Sequence, residues 1–135
     1  MTNITPGDID IGARTIFDEA RGEPYEGKKA VGHVLINRRD KKIGDRDHSI
    51  AAVALRWRQF SGWNEGDPNR TRGELVTVND RTFRQCICAM MEALDEPDNT
   101  GGATHYHTRW IKPDWAEGKT PCKVIGNHYF YNDID

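Results

Sequence analysis

"DEARGEPYEG", residues 18–27, decides how the first third of this chain folds. It holds three glutamates, two glycines and a proline in ten residues. Upstream, Ile9, Ala13, Ile16, Phe17 and Ala20 recur at helical spacing, so a helix starts near Pro6 to Asp8 and runs into the stretch. Gly22 and Pro24 stop it, because glycine suits the residue past a helix end and the residue before proline avoids the helical region. Downstream, Ala30, Val31, Val34 and Leu35 form the buried stripe of a second helix, from about Pro24 to Arg39. The stretch is therefore a helix–break–helix corner.

The corner divides its glutamates. Glu23 precedes Pro24, which suits the first helical position, and a carboxylate there is stabilised by the positive end of the second helix. That reading makes Glu23 structural, at a value of about 0.3–1 kcal/mol. Glu19 falls in the last turn of the first helix, where the dipole disfavours ionisation, and beside the apolar Ile16, Phe17 and Ala20. Both effects raise its proton affinity, as a general acid near neutral pH requires. Position alone also allows a plain solvated glutamate, and Arg21 could oppose the shift.

The rest of the chain continues the helical theme. Ser49 can cap a third helix through Ile50, Val53, Ala54 and Trp57. "SGWNEGDPNRTRGE", residues 61–74, reads as a turn-rich loop. A fourth helix starts near Asn79 or Asp80 and carries Phe83, Cys86, Ile87, Met90, Met91 and Leu94. The last third, with "ATHYHTRWIKPDW" and "KVIGNHYFYN", is aromatic and turn-rich, with one or two short strands. The expectation is one α+β domain over residues 1–135.

Composition narrows the function. With 19 basic and 21 acidic residues the net charge is −2, which gives no general attraction to nucleic acid or anionic membrane. No window approaches the ~18 apolar residues of a membrane span, so no membrane insertion is expected. The N-terminal "MTNITPGDID" lacks the pattern of a secretory signal and predicts soluble cytoplasmic synthesis. Cys86 and Cys88 are too closely spaced for a zinc knuckle and read as small buried residues. "THYH" would put His105 and His107 on one face of a strand, with His128 able to join them around zinc. Arg56, Arg58, Arg70 and Arg72, interleaved with Trp57 and Trp63, read as a solvated face, a nucleic-acid patch, or a surface drawn to wall carboxylates.

"ARTIFDEARGEPYEGKKAVGHVLINR", "RQFSGW", "GATHYHTRWIKPDWA" and "IGNHYF" together resemble the cell-wall hydrolases of the spore-cortex-lytic, SleB type, which include phage lysins. The resemblance covers about residues 13–131 and implies a lysozyme-like α+β fold, mostly helical with a small β- or loop-rich C-terminal part. It implies cleavage of peptidoglycan glycan strands between N-acetylmuramic acid and N-acetylglucosamine, as lytic transglycosylase or muramidase, and implies no catalytic zinc; a monomer acting without cofactor is expected. It makes Glu19, the first glutamate of "EARGE", the catalytic acid and base.

Gln59 and Ser61 suit sugar hydroxyls and acetamido groups, and Trp63 offers a flat face to a pyranose ring. Tyr106 is expected near the groove, with His105 or His107 also candidates for facing substrate; Trp110 and Trp115 read as packing or groove-wall residues. A hydrolytic route would need a second carboxylate, for which Glu23, Asp18, Glu65 and Asp67 are candidates. A lysin without a signal would reach the wall, outside the membrane, during phage lysis. The competing readings are a zinc-dependent amidase or peptidase using the histidines, and a wall-binding module that does not cut.

Overall fold

The structure is a computed structural model and describes residues 4–41, 49–56 and 68–134. Helix α1 spans Pro6–Ala20 and α2 spans Tyr25–Asp40, so the corner falls where the glycine and proline place it. The break is a turn in which Glu23 N donates to Ala20 O at 2.9 Å. Gly22 is not among the glycines with positive φ, so the first helix ends without the left-handed residue expected of it. Pro24 is the N-cap of α2 rather than its first residue, and its carbonyl accepts from the Gly27 and Lys28 amides.

Thr5 and Asp8 cap α1 reciprocally, each side chain accepting from the other's backbone amide. The second Asp8 oxygen accepts from Ala51 N at 3.0 Å, which pins the start of α3, Ile50–Arg56, to the start of α1. Ser49 Oγ accepts from Ala52 N as its capping role requires. Trp57 lies outside the described residues.

A fourth helix, α4, spans Pro68–Leu75, all but its last residue within the stretch read as a loop. No apolar stripe announces it. It is held from outside: Arg14 of α1 donates to the carbonyls of Gly73, Glu74 and Val76 at its C-terminal end, and Gly73 packs so closely on Asp18 that a Cβ there would collide with the carboxylate. Tertiary hydrogen bonds here supply what amphipathicity normally does. Helix α5, Arg81–Asp95, begins at the N-cap Asp80, whose carboxylate accepts from Phe83 N at 2.9 Å.

The core lies where α1, α2 and α5 meet: Ile16, Val31, Val34, Leu35, Phe83, Cys86 and Met90 are all buried. Gly32 allows the close crossing, since a Cβ there would lie 3.1 Å from that of Ala93. Cys86 is buried as expected, but Cys88 is exposed, because it falls on the outward face of α5.

The described residues of the last third form three strands, not one or two: β1 His105–Thr108, β2 Lys123–Ile125 and β3 His128–Tyr131, antiparallel in the order β1-β3-β2. Strands β2 and β3 join through a two-residue turn of Gly126, at φ +57°, and Asn127. The α+β expectation holds. No described helix is long and apolar enough to cross a membrane.

The Gly126–Asn127 turn assigns Glu23. One carboxylate oxygen accepts from Asn127 N at 2.7 Å and the other from Asn127 Nδ2 at 3.0 Å, which fastens the hairpin to the helical corner. Glutamine would set an amide NH₂ against the Asn127 amide and remove the charge from both bonds. Glu23→Gln is expected to cost about 1.5–3 kcal/mol, the range for hydrogen bonds to charged groups. Urea unfolding of the variant checks this; a cost within the dipole range expected above would make these bonds incidental.

Candidate active site

Glu19 sits half-buried in the last turn of α1, as read. What the sequence does not display is its partner. The Tyr106 hydroxyl, from β1, donates to Glu19 Oε1 at 2.8 Å. Tyr106 is buried, and its phenol is held well above its usual range, first by burial and then by the neighbouring Glu19. It therefore stays protonated and donates to Glu19, which orients the Glu19 carboxyl.

Strand alternation sorts the residues of "THYH". Tyr106 pairs with Phe130, and both share one sheet face with His128, toward α1. His105 and His107 point to the other face, opposite Tyr131 and Tyr129. There they pack edge-on against Trp115 at 5.2 and 5.7 Å between ring centroids. His107 engages both ring nitrogens, Nδ1 with Thr108 O and Nε2 with the Tyr131 hydroxyl. His105 Nδ1 meets Thr104 Oγ1 at 2.9 Å. The structure thus brings Tyr106 to Glu19 and sets His105 and His107 into an aromatic cluster behind the sheet.

His128 cannot join that pair around zinc as the sequence allowed, because it belongs to the opposite face. No group of three or more potential ligands with metal-holding geometry occurs among the described residues. Trp115 packs in the cluster, whereas Trp110 is 70% exposed. Gln59, Ser61 and Trp63, and the carboxylates Glu65 and Asp67, lie outside the described residues.

The two remaining acidic candidates are employed elsewhere. Glu23 binds Asn127, and Asp18 is buried with its carboxylate against Gly73 of α4. Arg21 donates to Phe17 O at 3.1 Å and lies over the Phe17 ring, so it closes the C-terminal turn of α1.

Arg38 is the residue that sequence reading missed. It is fully buried, donates to Thr104 O at 2.6 Å, and thereby anchors the start of β1, next to Tyr106. Burial draws its guanidinium down to about 9, against a pull the other way from Tyr106. A signal was present: Arg38 follows Val31, Val34 and Leu35 at helical spacing, so it occupies the inward stripe of α2.

Known proteins share this frame. The family model described as Cell Wall Hydrolase matches residues 22–131, starting three positions after Glu19. The spore cortex-lytic enzyme of Halalkalibacterium halodurans is 31% identical over 97% of this chain, and that of Bacillus subtilis 30% over 91%. This chain spans only 38% and 37% of those relatives' lengths. Among solved structures, the catalytic domain of the Bacillus cereus SleB protein superposes with a TM-score of 0.73 at 23% identity, over 97% of this chain and 94% of that one. The catalytic domain of the germination-specific lytic transglycosylase SleB from Bacillus anthracis gives 0.72, also at 23% identity, over 97% and 98%. These two structures share the α+β fold, and the matched family model extends from the helical corner to the end of β3; this chain belongs to the Cell Wall Hydrolase family.

Proposed function

We propose that this chain is a single catalytic domain that cleaves the glycan strand of peptidoglycan between N-acetylmuramic acid and N-acetylglucosamine, as a lytic transglycosylase. The observation that carries the reading is the Glu19 carboxyl at the end of α1, oriented by the Tyr106 hydroxyl at 2.8 Å. Family membership supports the wall as the place of action, and the B. anthracis neighbour is itself titled a lytic transglycosylase.

One carboxyl suffices for this chemistry. Protonated Glu19 gives its proton to the glycosidic oxygen as the bond to the muramic acid anomeric carbon breaks and oxocarbenium character develops there. The sugar's own 6-hydroxyl attacks that carbon, and the Glu19 carboxylate takes the hydroxyl proton. The acid is regenerated, the product is a 1,6-anhydro sugar, and no water is consumed. Hydrolysis would require a carboxylate or positioned water on the opposite face of the ring. Among the described residues, the candidates Glu23 and Asp18 are committed to Asn127 and to the α4 contact, which favours the intramolecular route.

Mass spectrometry of the fragments released from purified sacculi tests the assignment. Fragments with an anhydro terminus are expected. Fragments heavier by one water would replace transglycosylase with muramidase, and clearing lost in chelator and restored by zinc would replace both with a zinc peptidase or amidase.

A further inference from the structure

On the side of the molecule formed by the helices, a cleft of about 710 Å³ opens between the start of α2 and the outward face of α5. Its lining carries three cations, Lys28, Arg81 and Arg84, against two carboxylates, Glu23 and Glu92. Both lining carboxylates are already engaged: Glu23 with Asn127, and Glu92 with the Tyr25 hydroxyl at 2.7 Å. None of the three lining cations pairs with a carboxylate among the described residues. Lys28 is only 4% exposed, yet it forms no ion pair among the described residues; its ammonium donates to the Glu23 carbonyl. Arg84 donates to the Val78 carbonyl, and Arg81 has no side-chain partner among the described residues.

The two arginines stand in the first turns of α5, where the helix's own positive end makes cations unfavourable. With Gln85 they occupy one face at helical spacing. A locally costly arrangement of this kind marks a place built for something other than stability. Arginine pairs of this type match carboxylates bidentately.

We infer that this cleft binds the free carboxylates of the peptide stem that peptidoglycan carries on its muramic acid. The inference rests on the glycan-cleaving reading above. That peptide leaves the same sugar whose linkage Glu19 would protonate. Glu23, which lines the cleft, lies four residues after Glu19, no more than about 14 Å of backbone away. A stem of a few residues spans this distance.

The test uses the full chain and an acidic tetrapeptide stem freed from its glycan, titrated by NMR or calorimetry at low salt. Saturable binding is expected, weakened on the order of tenfold or more by the charge reversal Arg81→Glu with Arg84→Glu, and likewise by amidation of the peptide's carboxyls. Inorganic phosphate, standing for the anionic polymers of the wall, is expected to compete poorly.

Cys88 supplies a second route that leaves the fold's charges intact. It lines the cleft and is exposed, whereas burial pushes the Cys86 thiol up to about 12 and keeps it unreactive. In a Cys122→Ser background, a bulky maleimide on Cys88 is expected to abolish peptide binding. Absence of binding at millimolar peptide, binding indifferent to charge reversal and to the Cys88 adduct, or phosphate binding as tight as the peptide's would each overturn the assignment. The probe contains no sugar, so failure of the chain to cut glycan strands would leave this result readable, and absence of peptide binding by the unaltered protein with clearing intact would remove this inference alone.

Discussion

Glu19→Gln is expected to lower the clearing of purified sacculi by at least about a hundredfold, the lower bound for losing a positioned general acid. Thermal midpoint and secondary structure should stay where they are. Glutamine has the shape of glutamate and keeps an acceptor for the Tyr106 hydroxyl, so the contact between α1 and β1 survives. The transferable proton does not. Turbidity loss of sacculi, with calorimetry run in parallel, separates the two effects. Substantial remaining activity would reject Glu19 as the acid. A collapsed midpoint would instead make Glu19 a structural link between helix and sheet.

Acid is expected to destabilise the fold well before its carboxylates are exhausted. Burial, reinforced by Arg38, holds His105 down at about 4 against an ordinary 6.5. Burial lowers His33 and His128 as well. Below pH 6.5 the unfolded chain takes up a proton at position 105 that the folded chain refuses until about pH 4. Stability from this group is therefore complete above pH 6.5 and drains away as pH falls toward 4. With the ring only 4% exposed, the difference amounts to roughly 3 kcal/mol, on the order of 10 °C in midpoint. Melting curves at pH 7.5 and 4.5 should show His105→Asn less stable than the parent at the higher pH and losing less on acidification. Equal losses in the two proteins would remove His105 as the cause.

Much of this was legible in the residues. The corner at Gly22–Pro24 was readable because a short glycine–proline interruption separates two stripes of helical period. Ser49 and Asp80 were readable as caps because a side-chain acceptor before an apolar run satisfies helix amides locally. Glu19 could be placed at a helix end for the same reason: dipole and sequence neighbours are local properties. Helix α4 was not readable, because its support comes from Arg14, 59 residues from the Gly73 carbonyl it holds. Glu23 was rightly called structural, but for a smaller cause than its link to Asn127, 104 residues on.

By itself, then, the sequence determined helices α1, α2, α3 and α5, their buried faces and the position of one carboxyl at the end of the first. The tertiary structure alone decided that Tyr106, rather than His105 or His107, reaches that carboxyl. A strand's period of two says that the tyrosine and the histidines part company, but not which side meets the helices. That choice was made by pairing Tyr106 with Phe130 and packing their shared face on α1, with Arg38 tying the strand in place from a second helix. Local spacing specifies which residues travel together; only closure of the chain on itself specifies what they meet.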